Sequence, residues 1–171
     1  MMNFIKSLLL NKLYFLKVQE LDLTNQDIEE FNNIYDRLIH NGEGKEFSYD
    51  SIYPKYVFLN YIIENKDVLV LGSNHTDIKV FQPREQTLFN GKPTKAVFAS
   101  SDALWSTFFA IINRSAYLGS LRNACLTNNT KRGIKRYYYF SLSNNFAGNR
   151  WVNGTIYFLP KPLFKRGGIK D

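Results

Sequence analysis

The stretch Val68-Leu69-Val70-Leu71-Gly72-Ser73-Asn74 constrains this chain's fold more than any other. An unbroken apolar run that stops in a Gly-Ser-Asn turn is the pattern of a strand buried on both faces. The sequence before it reads as helices. Residues 3 to 19 form the first. Thr24 or Asn25 caps the second, with Asp27, Glu29 and Glu30 in its first turn, and Ile28, Phe31, Ile34, Tyr35, Leu38 and Ile39 recur at helical spacing. Asn41 and Gly42 end that helix, and residues 43 to 52 read as a polar connection. Pro54 suits the first turn of a third helix, 54 to 65, whose buried side is Tyr56, Val57, Leu59, Ile62 and Ile63.

Beyond the central strand, further strands are expected at 77 to 81, 96 to 99, 137 to 142 and 155 to 159. A helix is expected at 102 to 114 and a polar loop at 82 to 93. The expected fold is α+β: one domain over 1–171, with a helical N-terminal segment (1–65) packed on a small mixed β-sheet belonging to an α+β core (66–171). The chain has 171 residues, of which 44% are hydrophobic and 16% aromatic, so it can bury a core without cross-links. The single cysteine, Cys125, forms no internal disulfide, and no Cys/His set has zinc spacing. No metal is expected, and a reducing, cytoplasmic location is.

Leu8, Leu9, Leu10, Leu13, Tyr14, Phe15 and Leu16 cluster near the N-terminus, as in a secretion signal or an anchor. Lys6, Lys12 and Lys17 interrupt the run, no small-residue cleavage site follows, and no stretch reaches the ~20 apolar residues of a membrane span. A packed amphipathic helix is expected, over the alternatives of an interfacial helix or a secretion signal, with no membrane partner.

Charge divides the sequence. Residues 1–66 hold 7 Lys/Arg against 10 Asp/Glu, whereas residues 67–171 hold 15 against 5. No carboxylate side chain lies between Asp102 and Asp171. A field of that sign attracts phosphate, so an anionic nucleotide or RNA is the expected partner. Tyr137-Tyr138-Tyr139-Phe140 suits a strand packed on both faces. Beside Lys131, Arg132, Lys135, Arg136, Lys165 and Arg166 it also suits a nucleic-acid stacking surface.

Three stretches carry candidate chemistry. In Leu71-Gly72-Ser73-Asn74-His75, Gly72 permits close backbone approach by a ligand, and Ser73 and Asn74 are able to bind a ribose, phosphate or amide. The alternative is an ordinary strand-to-loop turn. In Val97-Phe98-Ala99-Ser100-Ser101-Asp102, a strand enters a helix that Ser100 or Ser101 caps, and amides at that helix start are able to hold an anion. In Arg150-Trp151-Val152-Asn153-Gly154-Thr155-Ile156-Tyr157, a turn enters a strand, and Arg150 is either a phosphate clamp or an ordinary surface residue.

Taken in order, Leu71-Gly72-Ser73, Phe98-Ala99-Ser100 and Gly154-Thr155-Ile156-Tyr157 resemble the three motif strands of the ADP-ribosyltransferase-like fold, over about residues 66 to 160. The chain looks closest to uncharacterised bacterial proteins of this kind, and more distantly to NAD-dependent ADP-ribosyltransferases and tRNA 2′-phosphotransferases. The resemblance implies NAD or a related nucleotide bound by Gly72, Ser73, Asn74, Phe98, Ser100 and Ser101, with Arg84, Arg122 and Arg150 toward phosphate. Two departures bear on catalysis. Leu71 stands where many members have a ribose-binding His, which leaves His75 as the nearby candidate. The late catalytic Glu has no counterpart, which leaves Asp102 or Glu85 as the carboxylate that would favour the cationic transition state. The implied function is nucleotide binding with atypical or lost transferase activity. The alternative is a nucleic-acid-binding module built on the basic C-terminal region, and a third reading is a structural or protein-interaction domain whose acidic helices at 20 to 50 face a partner.

Overall fold

The computed structural model describes residues 2–13, 15–18, 22–41, 46–88, 91–130 and 133–167. In chain order the elements are α1 (Met2–Lys12), β1 (Leu16–Lys17), α2 (Asn25–Asn41), α3 (Lys55–Asn65), β2 (Val68–Ser73), β3 (Arg84–Thr87), β4 (Pro93–Ala96), α4 (Ala103–Ile111), β5 (Leu121–Thr130), β6 (Gly133–Leu142) and β7 (Thr155–Pro160), with a 3-10 turn at Lys161–Leu163. The α+β class holds. The expected mixed sheet does not: among the described residues β2 pairs with β7, β3 with β4, and β6 with both β1 and β5, every pairing antiparallel. The chain divides into two compact units, a hairpin unit of residues 1–22 with 115–149 and a larger unit of 23–114 with 150–171. Neither boundary falls at residue 65, and segment 1–65 contributes to both units.

In the larger unit, α2 starts on a reciprocal cap. The Thr24 backbone N–H and hydroxyl donate to Asp27 Oδ2 at 2.8 and 2.7 Å, and Asp27 N–H donates to Thr24 Oγ1 at 3.3 Å. This is a capping box with Asp in place of Glu. The expected stop at Gly42 lies outside the described residues. Phe31 and Ile34 of α2 meet Val57, Phe58, Leu59, Ile62 and Ile63 of α3, Val68 and Val70 of β2, and Ala103 at the start of α4. Fully burying side chains of this size stabilises a fold by about 1.5–3 kcal/mol each. Residues 46–53 are not the simple polar connection expected, because Phe47, Tyr49 and Tyr53 pack on this core. The Phe31 ring is held edge-on by Tyr53 and by Phe58, with centroids 5.5 Å apart in each case.

β2 is buried on one face only. Val68 and Val70 are buried, while Leu69 and Leu71 are half-buried. A two-stranded sheet with its helices on one side gives an alternating burial of this kind. α4 approaches β2 so closely that a methyl on Gly72 would overlap the Ser106 carbonyl, and one on Gly154 would overlap the Ala110 carbonyl. The strand expected at 77–81 is an irregular loop with Val80 exposed. The apolar spacing of Ile78 and Val80 mimics a strand, but among the described residues no strand pairs with it. Conversely, the expected loop at 82–93 contains β3, and the strand expected at 96–99 is displaced to β4.

The hairpin unit is built on the ten-residue strands β5 and β6. β1 flanks β6 through Leu16 opposite Tyr138 and Lys17 opposite Tyr137. The helix expected to run to residue 19 therefore stops at Lys12. Tyr137 and Tyr138 are buried, and the Tyr137 hydroxyl donates to Asn11 Oδ1 at 3.2 Å.

These contacts set two measurable outcomes. Gly72→Ala or Gly154→Ala forces α4 off the sheet and costs about 1–3 kcal/mol. Gly148→Ala, where an added methyl meets nothing within 4 Å, stays within about 0.5 kcal/mol of the parent. Chemical denaturation measures all three. The second outcome concerns pH. Hydrogen bonds from the Thr24 hydroxyl and then its backbone amide hold the Asp27 carboxyl below its ordinary value of 3.8. A depressed folded value adds stability that is complete above the unfolded value and is lost as pH falls through the folded one. The advantage of the parent over Asp27→Asn in thermal melts is therefore full at neutral pH and vanishes in strong acid.

Candidate functional site

β2 gathers all three stretches that carry candidate chemistry. On one edge it pairs with β7, setting Leu71 opposite Tyr157, Gly72 opposite Ile156 and Ser73 opposite Thr155. On the other edge Val70 exchanges both backbone hydrogen bonds with Ser100, at 2.9 and 2.8 Å. Residues from about 70, 100 and 156 thus lie side by side, although some thirty and fifty residues of chain separate them.

The strand has two faces, and α4 occupies one. Because the Ser106 and Ala110 backbone fills the space in front of Gly72, the close approach that this glycine permits is made by a helix, not by a ligand. Asn74 serves the same contact: its amide donates to the Ala110 carbonyl at 2.6 Å, satisfying a group that the end of α4 leaves open. The Ser106 hydroxyl donates to the Val70 carbonyl at 3.3 Å, a partner that the sequence pattern does not reveal. Ser100 and Ser101 do not cap α4. Asp102 does, with Oδ1 accepting from Trp105 N–H at 2.9 Å, while Ser100 Oγ accepts from Asp102 N–H at 3.0 Å. Phe98 is half-buried and Ser101 is exposed.

The opposite face carries Leu69, Leu71 and Ser73 from β2, with Thr155, Tyr157 and Leu159 from β7, all half-buried. Directly opposed residues of an antiparallel pair share a face. Ser73 Oγ accepts from His75 N–H at 3.1 Å, which turns the chain and leaves His75 exposed. Tyr157 fastens the loop after this turn: its hydroxyl donates to the His75 carbonyl at 2.7 Å and accepts from Ile78 N–H at 3.1 Å. Phe81 meets its ring edge-on at 5.2 Å. The result is a surface of Leu71, Ser73, Thr155 and Tyr157 bordered by the 74–81 loop. It is apolar with two small hydroxyls, and the bordering loop carries the exposed Asp77.

The candidate arginines belong to different elements. Arg84 is exposed on β3 opposite Ala96, with Glu85 opposite Lys95. Arg150 is exposed where its carbonyl accepts from Asn113 N–H at 3.0 Å, and Arg122 belongs to the hairpin unit, opposite Ser141 on β5. The charge follows the same division. The hairpin unit holds eight Lys/Arg against two Asp/Glu, a net of +6, and the larger unit is left with +1 of the chain's +7.

Of the residues expected to stack bases, Tyr137 and Tyr138 are buried, and Tyr138 stacks on Phe140 with ring centroids 5.9 Å apart. Tyr139 is about half exposed, with Phe15 edge-on to it at 6.2 Å. Lys135 lies 5.4 Å over the Tyr137 ring and donates to Asn11 Oδ1 at 3.3 Å. Lys131 and Arg132 lie outside the described residues, and Lys165 and Arg166 belong to the larger unit. Among the described residues no group of three His, Cys, Asp or Glu side chains is placed to hold a metal. A shallow hollow of about 420 Å³ lies along α2, lined by Gln26, Glu29, Glu30, Asn33 and Arg37.

Compared with protein-family models, with curated proteins and with solved structures, the chain matches none.

Tyr157→Phe removes both hydrogen bonds that fasten the 74–81 loop, at roughly 1 kcal/mol each. Amide exchange at Ile78 and its neighbours accelerates in this variant, while exchange within α3 is unchanged.

Proposed function

We propose that the larger unit is an ADP-ribosyltransferase-like domain that binds NAD or a related nucleotide on the face of β2 carrying Leu71 and Ser73, with transferase activity atypical or lost. The observation that carries this reading is the convergence on β2 of the three stretches that resemble the family's motif strands. The choice of face rests on the contact at Gly72, since α4 fills the other side. The chemistry of the face opposite α4 suits a nucleoside. Leu71 and the Tyr157 ring offer apolar cover to a base, while Ser73, Thr155 and the exposed His75 offer polar partners to a ribose.

The same residues argue against full chemistry. Leucine at position 71 donates no hydrogen bond where many family members have histidine. Asp102, a candidate substitute for the missing glutamate, already caps α4. A carboxylate so engaged is not free to stabilise the cation that forms as nicotinamide leaves. A nucleic-acid-binding reading rests instead on the hairpin unit, where the charge lies and where Tyr137 and Tyr138 are buried.

The test is titration of the whole protein with NAD, ADP-ribose and 2′-phosphorylated RNA, read as thermal stabilisation. A ligand at a hundred times its Kd stabilises the native state by about 2.7 kcal/mol. NAD or ADP-ribose raises the melting temperature, Leu71→Arg abolishes the rise, and no nicotinamide is released. If none of the three ligands shifts the melting temperature, the reading fails.

A further inference from the structure

We propose that α1 is an interfacial helix that seats the hairpin unit on anionic lipid bilayers. Ile5, Leu8 and Leu9 of α1, and Leu13 and Leu16 just after it, each leave half or more of their surface open, whereas Leu10 is buried. Positions 5, 8 and 9 stand three and four residues apart, so they share one side of the helix. A single exposed leucine is ordinary, but a run of them along one segment marks a surface meant to be covered.

Charge selects what covers it. Lys6, Lys12 and Lys17 lie in the same segment, and no carboxylate occurs in residues 1–19. Lys6 Nζ donates to the Thr127 carbonyl at 2.9 Å and Lys17 Nζ to the Asn11 carbonyl at 2.5 Å, partners that leave both charges in place, while Lys12 is exposed. A nucleic acid would answer the lysines and have no use for the leucines. A second copy of this chain would answer the leucines and set like charges against each other. An acidic lipid surface answers both, drawing the ammonium groups to its headgroups and the apolar side chains to the acyl boundary. No helix among the described residues is long and apolar enough to cross a membrane, so α1, of 11 residues, lies along the surface. A helix so short binds weakly and reversibly, and the net +6 of its unit supplies the second, electrostatic part of the attraction.

The experiment is co-sedimentation of the full chain with sucrose-loaded vesicles at low salt. Vesicles of phosphatidylcholine with about a third phosphatidylserine bring the protein down, and vesicles of phosphatidylcholine alone do so about tenfold less well. Leu8→Asp with Leu9→Asp weakens binding by about tenfold or more, and Lys12→Glu by about fivefold or more, with melting temperature and helix content unchanged. Should the aspartate pair fail to fold, the lysine variant decides alone. The proposal is overturned if the acidic vesicles retain nothing, or if the variants bind as the parent does. It is overturned equally by a dimer that the aspartate pair turns into a monomer, or by retention on single-stranded RNA that exceeds vesicle binding and ignores the loss of the leucines.

Discussion

The backbone of α4 rests directly on two glycines, and the arrangement of the larger unit depends on that contact. With no Cβ at Gly72 or Gly154, the Ser106 and Ala110 carbonyls lie where side chains would otherwise stand. This proximity lets the Ser106 hydroxyl reach the Val70 carbonyl, which already accepts from Ser100 N–H, and lets the Asn74 amide reach the end of the helix. One strand carbonyl thereby ties β2 to both the approach and the body of α4. A helix held a side chain's width farther out would lose the Ser106 and Asn74 bonds together, and buried polar groups left without partners cost more than the bonds contribute when made.

A second feature is the uneven division of charge, with a net of +6 in the hairpin unit and +1 in the larger unit. The field of exposed charges is screened by salt, whereas hydrogen bonds and apolar contacts of the kind that β2 and β7 make are much less so. The two units therefore respond differently to ionic strength.

Elements that announce themselves locally are legible in the sequence. The cap at Thr24, the apolar face of α2, the stop of α3 near Asn65 and the run Val68–Leu71 all depend on residues within a few positions of one another. The features that escape a sequence reading depend on distant partners. β5 shows no apolar alternation in Arg122-Asn123-Ala124-Cys125-Leu126-Thr127-Asn128 and is a strand because β6 lies beside it. Gly72 suggests room for a ligand because nothing local says that α4, more than thirty residues on, takes that room. The cap falls on Asp102 instead of Ser100 or Ser101 for the same reason: pairing of Ser100 with Val70 keeps it in the extended chain. Along the chain the basic charge forms one block, whereas the fold distributes it between two units.

The interleaving of those units has a consequence for biogenesis. Residues 115–149 are spliced into the larger unit where Asn113 N–H meets the Arg150 carbonyl, and β7, the partner of β2, comes only after them. During synthesis from the N-terminus, β2 leaves the ribosome some eighty residues ahead of that partner. At about 5–20 residues per second, the run Val68-Leu69-Val70-Leu71 waits for several seconds with an open edge. The segment that supplies the basic hairpin therefore also lengthens the time for which this strand edge stays without its partner.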